Sequence, residues 1–334
     1  MDVEVLSENI SSEELELFFS DASNYTLFHN PKFLSYHKPE KFDNNIFQIH
    51  HLIFRDNTKI IGFVPGYIQS VSDSEGKKQV YRTPFASSFG GLILEKNISF
   101  NKCEKIFETL LSYLSDKVSS VFYSPTPEYY SFPEAASINY QHFILRKNGF
   151  EIVKDELIFV TQRKVTGDLI KRYNKKLQSE LKQVICNGIK IDISDEINEE
   201  VYRLLLKSQK RLGGSPTHSL EELIKIQSLF QNQIIVFKAK LNNQIIGAII
   251  CFKVNSKVLN TFYIFDDFEY RSHKPNHICY HEVLKFAFEN NFDFVDFGPS
   301  TFGYVPNYSL IFFKEKFDSL PYLKTFYKKN IPNS

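Results

Sequence analysis

A repeated segment constrains the fold of this chain more than any other sequence feature. Residues 54–64 read Phe-Arg-Asp-Asn-Thr-Lys-Ile-Ile-Gly-Phe-Val, and residues 239–249 read Ala-Lys-Leu-Asn-Asn-Gln-Ile-Ile-Gly-Ala-Ile. Each segment predicts a strand, a tight polar turn and a second strand that opens on Ile-Ile-Gly. The two glycines, Gly62 and Gly247, are 185 residues apart.

A second pair of landmarks follows in the same order. Residues 105–125 predict a helix and then a buried strand ending Val-Phe-Tyr-Ser-Pro, and residues 283–299 predict a helix and then a strand ending Val-Asp-Phe-Gly-Pro. Pro125 and Pro299 are 174 residues apart. So long a period indicates two similar domains, because the repeats of a solenoid are far shorter. We expect the domains to superpose with the two glycines on each other and the two prolines on each other.

Length, charge and cysteine spacing limit the class of protein. The 334 residues suit two domains, and a net charge near +1 gives no general reason to expect a nucleic-acid binder. No apolar run approaches the roughly 18 residues of a membrane span, and the acidic start is unlike a signal peptide. The four cysteines are widely spaced and no histidine has ligand spacing around them. These features predict reduced thiols, a cytoplasmic protein and no metal site.

The pattern of helices and strands predicts an α/β protein with domains at 1–163 and 164–334. Each domain has a mixed, mainly antiparallel sheet flanked by helices, and the tail from about residue 318 is a candidate to pack back on the first domain. The individual elements that we predict are strands at 46–54, 60–70, 233–241, 245–254, 257–265, 293–297 and 312–317, a basic amphipathic helix over 171–182, a helix at about 275–290 and a polar, turn-rich end.

Six segments then carry the pattern of a known family. They are Phe28-His-Asn-Pro-Lys-Phe-Leu, Phe89-Gly-Gly-Leu, Lys175-Lys-Leu-Gln-Ser-Glu-Leu-Lys, Arg211-Leu-Gly-Gly-Ser-Pro, Lys274-Pro-Asn-His-Ile-Cys-Tyr-His-Glu with the later Phe292-Asp-Phe-Val-Asp-Phe-Gly, and Phe313-Lys-Glu-Lys-Phe. In this order they resemble the FemAB-like peptidyltransferases and the related tandem-GNAT acyltransferases of polysaccharide loci. Asp318 stands where the family has glycine after the last segment.

The resemblance implies two GNAT-like domains and an acyltransferase. The donor would be an acyl-CoA or an aminoacyl-tRNA, and the acceptor an amine or hydroxyl of a cell-envelope glycan or peptidoglycan precursor. Some FemAB-like enzymes carry a long coiled-coil arm, but no sustained heptad occurs here, which favours the shorter relatives. The basic helix at 171–182 is either a contact for RNA or a sugar diphosphate, or a solvated face. The oligomeric state stays open.

The chemistry of acyl transfer directs attention to Lys314. The reaction passes through a tetrahedral oxyanion that needs preorganised donors, and an attacking amine must lose a proton. No Ser-x-Gly elbow or Cys/His pairing is evident, so direct attack fits better than a covalent intermediate. The resemblance places a catalytic lysine at Lys314, and the alternative is a solvated lysine beside Lys316.

Two acids and a cluster of cations complete the predicted site. Asp266 and Asp267 follow a strand where the sheet of a GNAT domain splays, and they are either the catalytic base or turn residues. Arg271, His273, Lys274 and Asn276 lie at the predicted start of the helix at 275–290, where cations and free amides bind anions. GNAT enzymes hold a cofactor pyrophosphate here, but Arg271-Ser-His-Lys-Pro-Asn has the arginine without the glycines of their loop.

Two further hypotheses compete with the acyltransferase. A degenerate GNAT pair would act as a binding or scaffold protein, and the missing glycines favour it. An RNA-binding module is disfavoured by the near-zero net charge. We expect the main cleft between the domains or at the splay of the second sheet, lined by Asp266, Arg271, Lys274 and Lys314. His281, in the middle of a helix, is expected to be a packed or surface residue.

Overall fold

Helices and strands alternate along the chain, and the computed structural model describes residues 1–7, 11–35, 47–73, 76–83, 87–131, 137–164 and 167–332. The helices are α1 (Ser12–Asp21), α2 (Pro31–Leu34), α3 (Phe100–Leu114), α4 (Ser137–Lys147), α5 (Leu169–Arg172), α6 (Lys175–Cys186), α7 (Glu199–Arg211), α8 (Leu220–Leu229), α9 (Pro275–Glu289) and α10 (Tyr308–Glu315). The strands are β1 (Asp2–Val5), β2 (Phe47–Ile49), β3 (Leu52–Asp56), β4 (Lys59–Val64), β5 (Tyr67–Asp73), β6 (Gly76–Arg82), β7 (Ile93–Leu94), β8 (Ser120–Tyr123), β9 (Glu151–Gln162), β10 (Lys190–Ser194), β11 (Ile234–Leu241), β12 (Gln244–Lys253), β13 (Val258–Asp266), β14 (Phe294–Pro299), β15 (Thr301–Phe302), β16 (Val305–Pro306) and β17 (Leu320–Asn330).

The chain forms two compact units. The first comprises Met1–Asp155 together with Leu323–Ser334, and the second comprises Glu156–Tyr322. β17 contributes its later residues to the first unit, where Tyr327 pairs with Tyr123 of β8. The division into domains at 1–163 and 164–334 remains a prediction.

The second unit is organised around strands in the order β10-β11-β12-β13-β14-β9. Neighbouring strands are antiparallel except β13 and β14, which are parallel. Helices α6 and α9 supply Leu177, Leu181, Val283 and Leu284 to one apolar core with the sheet. Gly247 of β12 permits this packing, because a Cβ atom there would lie 2.8 Å from the Cβ of Pro275. The start of α9 is therefore seated directly on the sheet.

The strands of the first unit form two sets, β1-β3-β4-β7 and β2-β5-β6-β8-β17. The predicted continuous strands at 46–54 and 60–70 are wrong, because each breaks into two strands, at His50–His51 and at Pro65–Gly66 (residue 46 lies outside the described residues). The break is fixed by hydrogen bonds from His50 N to Gly66 O (2.8 Å) and from Gly66 N to His51 Nδ1 (3.0 Å). A Cβ atom on Gly66 would lie 2.1 Å from the hydroxyl of Tyr81, so the kink requires glycine.

The two Ile-Ile-Gly hairpins have the same register. In the first unit Phe54 pairs with Gly62, and the register then shifts so that the next residue pairs with Ile60. In the second unit Ala239 pairs with Gly247, and the next residue pairs with Ile245 after the same shift. A bulge in the same place increases the local twist of both hairpins. The sequence repeat is thus also a repeat of backbone pairing.

Two predictions near the end of the chain are wrong. The expected strand at 312–317 is the helix α10 with its following turn, because Asn307 caps the helix by accepting from Leu310 N at 3.1 Å. Helical spacing also brings Phe313 and Phe317 together against Tyr280, with ring centroids 5.2 and 5.3 Å away. The expected polar turns are the strand β17, in which Lys324 is buried despite its charge.

Candidate active site

A cleft opens in the second unit where β13 and β14 separate. The two strands pair over only three residues, ending at Asn260 and Asp296. Beyond this point the register of β13 with β12 shifts, and the side chain of Asp296 accepts a hydrogen bond from Gly298 N at 2.6 Å. Gly298 has φ +71°, which favours glycine. The turn carries β14 away from β13 and leaves a cleft of about 730 Å³.

Five of the seven predicted site residues line this cleft. They are Asp266, Arg271, Lys274, Asn276 and Lys314, and the remaining walls come from the end of α7, the start of α9 and the start of α10. Asp267 and His273 are not among the lining residues. Asp267 instead binds Lys207 Nζ at 2.9 Å and accepts from Glu269 N, while His273 contacts Ser272. The roles of all seven residues stay predictions.

Lys314 is buried in the wall of the cleft, with 1% of its surface exposed. Its Nζ donates to the carbonyl oxygens of Gly298 (2.8 Å) and Pro299 (3.0 Å), which lie where β14 has diverged from β13. Burial lowers the pKa of Lys314 to about 7, although the carboxylate of Asp296 acts in the opposite direction. The alternative of a solvated lysine is therefore wrong. An ammonium has three N–H donors, so a third remains for a ligand in the cleft.

Asp266 and Arg271 form an ion pair at the cleft. Arg271 Nε donates to Asp266 Oδ2 at 3.0 Å, and a second guanidinium nitrogen lies 3.3 Å from Oδ1. Asp266 is buried, whereas the side chain of Arg271 is about half exposed. The two adjacent acids of the sequence thus have different environments, since only Asp266 faces the cleft.

A second charged cluster supports the start of α9. Glu180 of α6 lies 3.1 Å from Lys274 Nζ, 3.4 Å from His277 Nε2 and 3.6 Å from Lys316 Nζ. Burial opposes the charged form of Glu180, but the hydrogen bond from Lys274 and the charge of Lys316 outweigh it and lower the pKa of Glu180. Burial also lowers the pKa of His277 to about 4, so this histidine is neutral at physiological pH. Lys316 is therefore ion-paired with Glu180 of α6, whereas Lys314 faces the cleft.

The first turn of α9 has the features of an anion site. No side chain caps the helix, and Lys274 precedes Pro275 with φ +54°. First-turn amides and the nearby cations Arg271 and Lys274 together favour negative charge. Part of the cationic charge is neutralised by the ion pairs with Asp266 and Glu180.

Two polar oxygens at the cleft have unmet hydrogen-bonding capacity. Asn276 Oδ1 and the hydroxyl of Tyr280 are buried atoms with no hydrogen-bond partner among the described residues. They lie one turn apart on α9, and both residues line the cleft. Buried polar groups are nearly always satisfied, so each is a candidate contact for a ligand. Sequence analysis missed Tyr280, and the only signal for it was its position four residues after Asn276.

Other residues with predicted roles are structural or exposed. His281 is buried, contacts the hydroxyl of Tyr173 at 3.1 Å, and has a pKa lowered to about 4 by burial. The basic region at 171–182 is two helices, α5 and α6, with Leu177 and Leu181 buried and its lysines exposed. Arg172 binds Asp318 at 2.8 Å.

Comparison with known proteins identifies one family model and several solved structures that this chain resembles. Residues 171–305 match the family described as Acetyltransferase (GNAT) domain. FemX shares the fold with a TM-score of 0.68 at 12% identity, over 99% of this chain and 97% of its own. L-PGS from Bacillus licheniformis follows with 0.59 at 11% identity, over 99% and 95%. A tandem GNAT protein from the clavulanic acid biosynthesis pathway gives 0.52 at 8% identity, over 100% and 99%. No curated protein matches the sequence.

Residues 171–305 are an acyltransferase domain of the GNAT class. The predicted resemblance to FemAB-like and tandem-GNAT proteins is confirmed for the GNAT domain at 171–305 and, over the rest of the chain, for the fold. None of the described helices is both long and apolar enough to cross a membrane. Within the described ranges, no group of three or more His, Cys, Asp or Glu side chains is arranged to hold a metal ion.

Proposed function

We propose that this protein transfers an acyl or aminoacyl group to an amine or hydroxyl of a cell-envelope glycan or peptidoglycan precursor, in the cleft between β13 and β14. The observation that carries the proposal is the position of Lys314. Its buried ammonium is held by two backbone carbonyls at the place where the strands separate. A fixed cation in a site of this kind stabilises negative charge that develops during a reaction.

The reaction is a direct attack without an enzyme-bound intermediate. The acceptor nitrogen or oxygen forms a bond to the carbonyl carbon of the donor, and the carbonyl oxygen becomes an oxyanion that receives the third N–H of Lys314. The oxyanion then collapses, and the bond to the thiol or ribose oxygen of the donor breaks. Asp266 is the candidate base because its carboxylate lies at the cleft, and Arg271 holds it there. The proton taken from the acceptor passes to the leaving group, so the protein is regenerated.

The donor would bind with its phosphates at the first turn of α9. Arg271, Lys274 and the uncapped amides of this turn supply the positive potential. Acyl-CoA and aminoacyl-tRNA both present phosphate here, and both occur in the cytoplasm, where we propose that the enzyme acts. Acyl-CoA fits the GNAT domain that matches residues 171–305. The exposed lysines of α6 are the surface that a tRNA donor would contact.

The proposal is tested with Lys314→Ala in a donor-consumption assay. Purified protein is incubated with a set of acyl-CoA thioesters or aminoacyl-tRNAs and a mixture of nucleotide-sugar and peptide precursors. We expect Lys314→Ala to lower turnover about 100-fold or more, corresponding to about 3 kcal/mol of transition-state stabilisation. Lys314→Arg should restore little, because a planar guanidinium does not replace a compact ammonium between two carbonyls.

Lys316→Ala is the matched control. The two lysines are two residues apart, but Lys316 binds Glu180 rather than facing the cleft. Equal losses in the two alanine variants would show that Lys314 has no special role. If the wild-type protein consumes neither class of donor, the scaffold hypothesis replaces the enzymatic one.

A further inference from the structure

An uncharged segment beside the cleft is unusually exposed. Residues 301–313 read Thr-Phe-Gly-Tyr-Val-Pro-Asn-Tyr-Ser-Leu-Ile-Phe-Phe and contain no charged residue. β15 and β16 pair as a short hairpin, and α10 follows. Phe302, Tyr304 and Tyr308 are 85%, 70% and 77% exposed, and Val305 and Phe312 are also exposed. We refer to these five residues as the aromatic rim. Soluble surfaces rarely group so many large apolar side chains.

The aromatic rim is adjacent to the opening of the cleft. Asn307 and Leu310, which lie between members of the rim, line the cleft. Tyr308 and Phe312 are four residues apart on α10, so they share its outer face. Tyr308 and Phe312 of the rim share α10 with Lys314, so whatever binds the rim is held next to the cleft.

A second set of exposed side chains near the cleft is both apolar and basic. Leu212 lines the cleft and is exposed, and Phe268, shortly before α9 in sequence, is also exposed. The guanidinium groups of Arg211 and Arg271 lie 4.8 and 5.4 Å from the centre of the Phe268 ring. Exposed apolar side chains accompanied by arginine suit a surface in which negatively charged groups cover an apolar layer.

We propose that the aromatic rim docks on the interface of an anionic lipid bilayer. Tyr and Phe side chains are favoured at the boundary between headgroups and acyl chains, where an aromatic ring meets a polar layer. A hairpin tip inserts into a deformable medium, whereas a protein partner would need a cavity shaped to receive it. Arg211 adds attraction to negatively charged headgroups. Docking would present the cleft to acceptors carried on the membrane surface.

The absence of tryptophan from the sequence makes a direct measurement possible. Tyr304→Trp introduces a single fluorophore at the hairpin tip, and Phe143→Trp introduces one at a position in α4 that is 59% exposed. Each variant is mixed with vesicles of phosphatidylcholine alone or with 30% phosphatidylglycerol, without donor or acceptor. We expect a blue shift for Tyr304→Trp with the anionic vesicles and none for Phe143→Trp.

Cosedimentation with the same vesicles measures binding. A Phe302→Ser, Tyr304→Ser and Tyr308→Ser triple variant should bind anionic vesicles at least about 10-fold more weakly, since each lost ring removes buried apolar area. Arg211→Gln should lower binding about fivefold, the equivalent of about 1 kcal/mol per basic residue near such a surface. Circular dichroism verifies that each variant is folded.

Three results of the vesicle experiments would overturn the docking proposal. They are a wild-type protein that does not sediment with anionic vesicles, a triple variant that binds as well as wild type, and a blue shift of equal size for Phe143→Trp. Concentration-dependent dimers that the triple variant abolishes would assign the rim to contact between copies of the chain, and would also reject docking. The measurements need no catalytic activity, so failure of the proposed function would not affect them.

Discussion

The two units share an Ile-Ile-Gly hairpin and a parallel strand pair, but they differ at the place where a cleft opens in the second unit. In the second unit Gly247 pairs with Asp266, and beyond Asn260 the strand β13 leaves β14 and a cleft opens. In the first unit Gly62 pairs with Leu94 of β7, which corresponds to the end of β13, and β8 corresponds to β14. In the first unit, however, side chains and backbone fill the space between β7 and the end of β8.

The closure in the first unit is built from hydrogen bonds and aromatic packing. Gln141 Nε2 donates to Leu92 O at 2.9 Å, and Leu92 N donates to the hydroxyl of Tyr123. A Cβ atom on Gly91 would lie 3.0 Å from the Cα of Pro125. Phe89 packs on Tyr130 with ring centroids 4.6 Å apart. The backbone edge that faces the cleft in one unit is thus satisfied internally in the other.

A related arrangement of strands thus serves stability in the first unit and forms the candidate active site in the second. The backbone of Leu92 is satisfied at the closed place, whereas two buried polar atoms at the open place, on Asn276 and Tyr280, have no partner among the described residues. Natural proteins depart from full satisfaction mainly at functional sites. We therefore expect mutations at the closed place to affect stability and mutations at the open place to affect activity.

The largest effect is expected at the closed place. Phe89 is buried and contacts Phe28, His29 and Tyr130. Phe89→Ala should lower the free energy of unfolding by about 3–5 kcal/mol, because it leaves a cavity in an aromatic cluster. Urea unfolding measures the loss, and Phe143→Ala at an exposed site should change it by less than about 0.5 kcal/mol. Lost activity with unchanged stability would mean that the first unit also has a functional site.

The pH dependence of activity tests the open place. If the ammonium of Lys314 acts on the oxyanion, kcat/KM should fall about tenfold per pH unit above its pKa of about 7. A rise over the same range would show that the neutral amine is the active form, as a base.

The free energy of unfolding should rise with pH over the range in which kcat/KM falls. The pKa of Lys314 is lowered in the folded state, so above about pH 7 the unfolded state binds more protons and stability rises with pH until the ordinary lysine pKa is reached. Below pH 7 both states are protonated and this contribution is constant. The difference in unfolding free energy between wild type and Lys314→Met should show this slope, and a flat difference would contradict the buried position.

Gly62 and Gly247, which have the same register in the two hairpins, test whether a helix packs equally closely on each sheet. A Cβ atom at position 247 would lie 2.8 Å from Pro275, whereas at position 62 its nearest neighbours are the side-chain tips of Leu92 and Ile106 at 3.2 and 3.3 Å. Gly247→Ala should cost about 1–3 kcal/mol by overpacking and should also raise KM for the donor, because it displaces the start of α9. Gly62→Ala should cost less and leave KM unchanged. Thermal unfolding and steady-state kinetics separate the two effects, and equal costs would show that the helices are seated alike.

The smallest effect is expected from Tyr280→Phe, which removes one hydroxyl oxygen. Tyr280 is 0% exposed, and its hydroxyl has no partner among the described residues. Tyr280→Phe should change stability little, since the fold gives the hydroxyl no well-formed hydrogen bond. KM should rise about tenfold if a substrate uses the hydroxyl, the equivalent of one hydrogen bond of about 1.4 kcal/mol. Reduced stability with an unchanged KM would assign the hydroxyl to the fold instead.

Much of the framework followed from local pattern. The two hairpins, the helix that begins at Pro275 and the strand that ends at Pro299 were predicted because turn residues, proline and apolar periodicity act over a few neighbours. The GNAT class followed from the order of short motifs. The clustering of Asp266, Arg271 and Lys274 around one cleft also followed, since the end of a strand and the start of the next helix meet at one edge of a sheet, whereas Lys314 was predicted from the family resemblance alone.

Only the tertiary structure determined which member of each pair of similar neighbouring residues faces the cleft. Asp266 and Asp267 are neighbours in sequence, but one lies at the cleft and the other binds Lys207. Lys314 and Lys316 differ because residues 308–315 form a helix, which long-range packing on Tyr280 favours over a strand. The buried hydroxyl of Tyr280 and the kinks at His50–His51 and Pro65–Gly66 likewise depend on residues distant in sequence. Local propensity sets most of the elements, whereas the helix at 308–315, the strand breaks, and the burial, hydrogen bonding and pKa of each group depend on what the completed fold places around them.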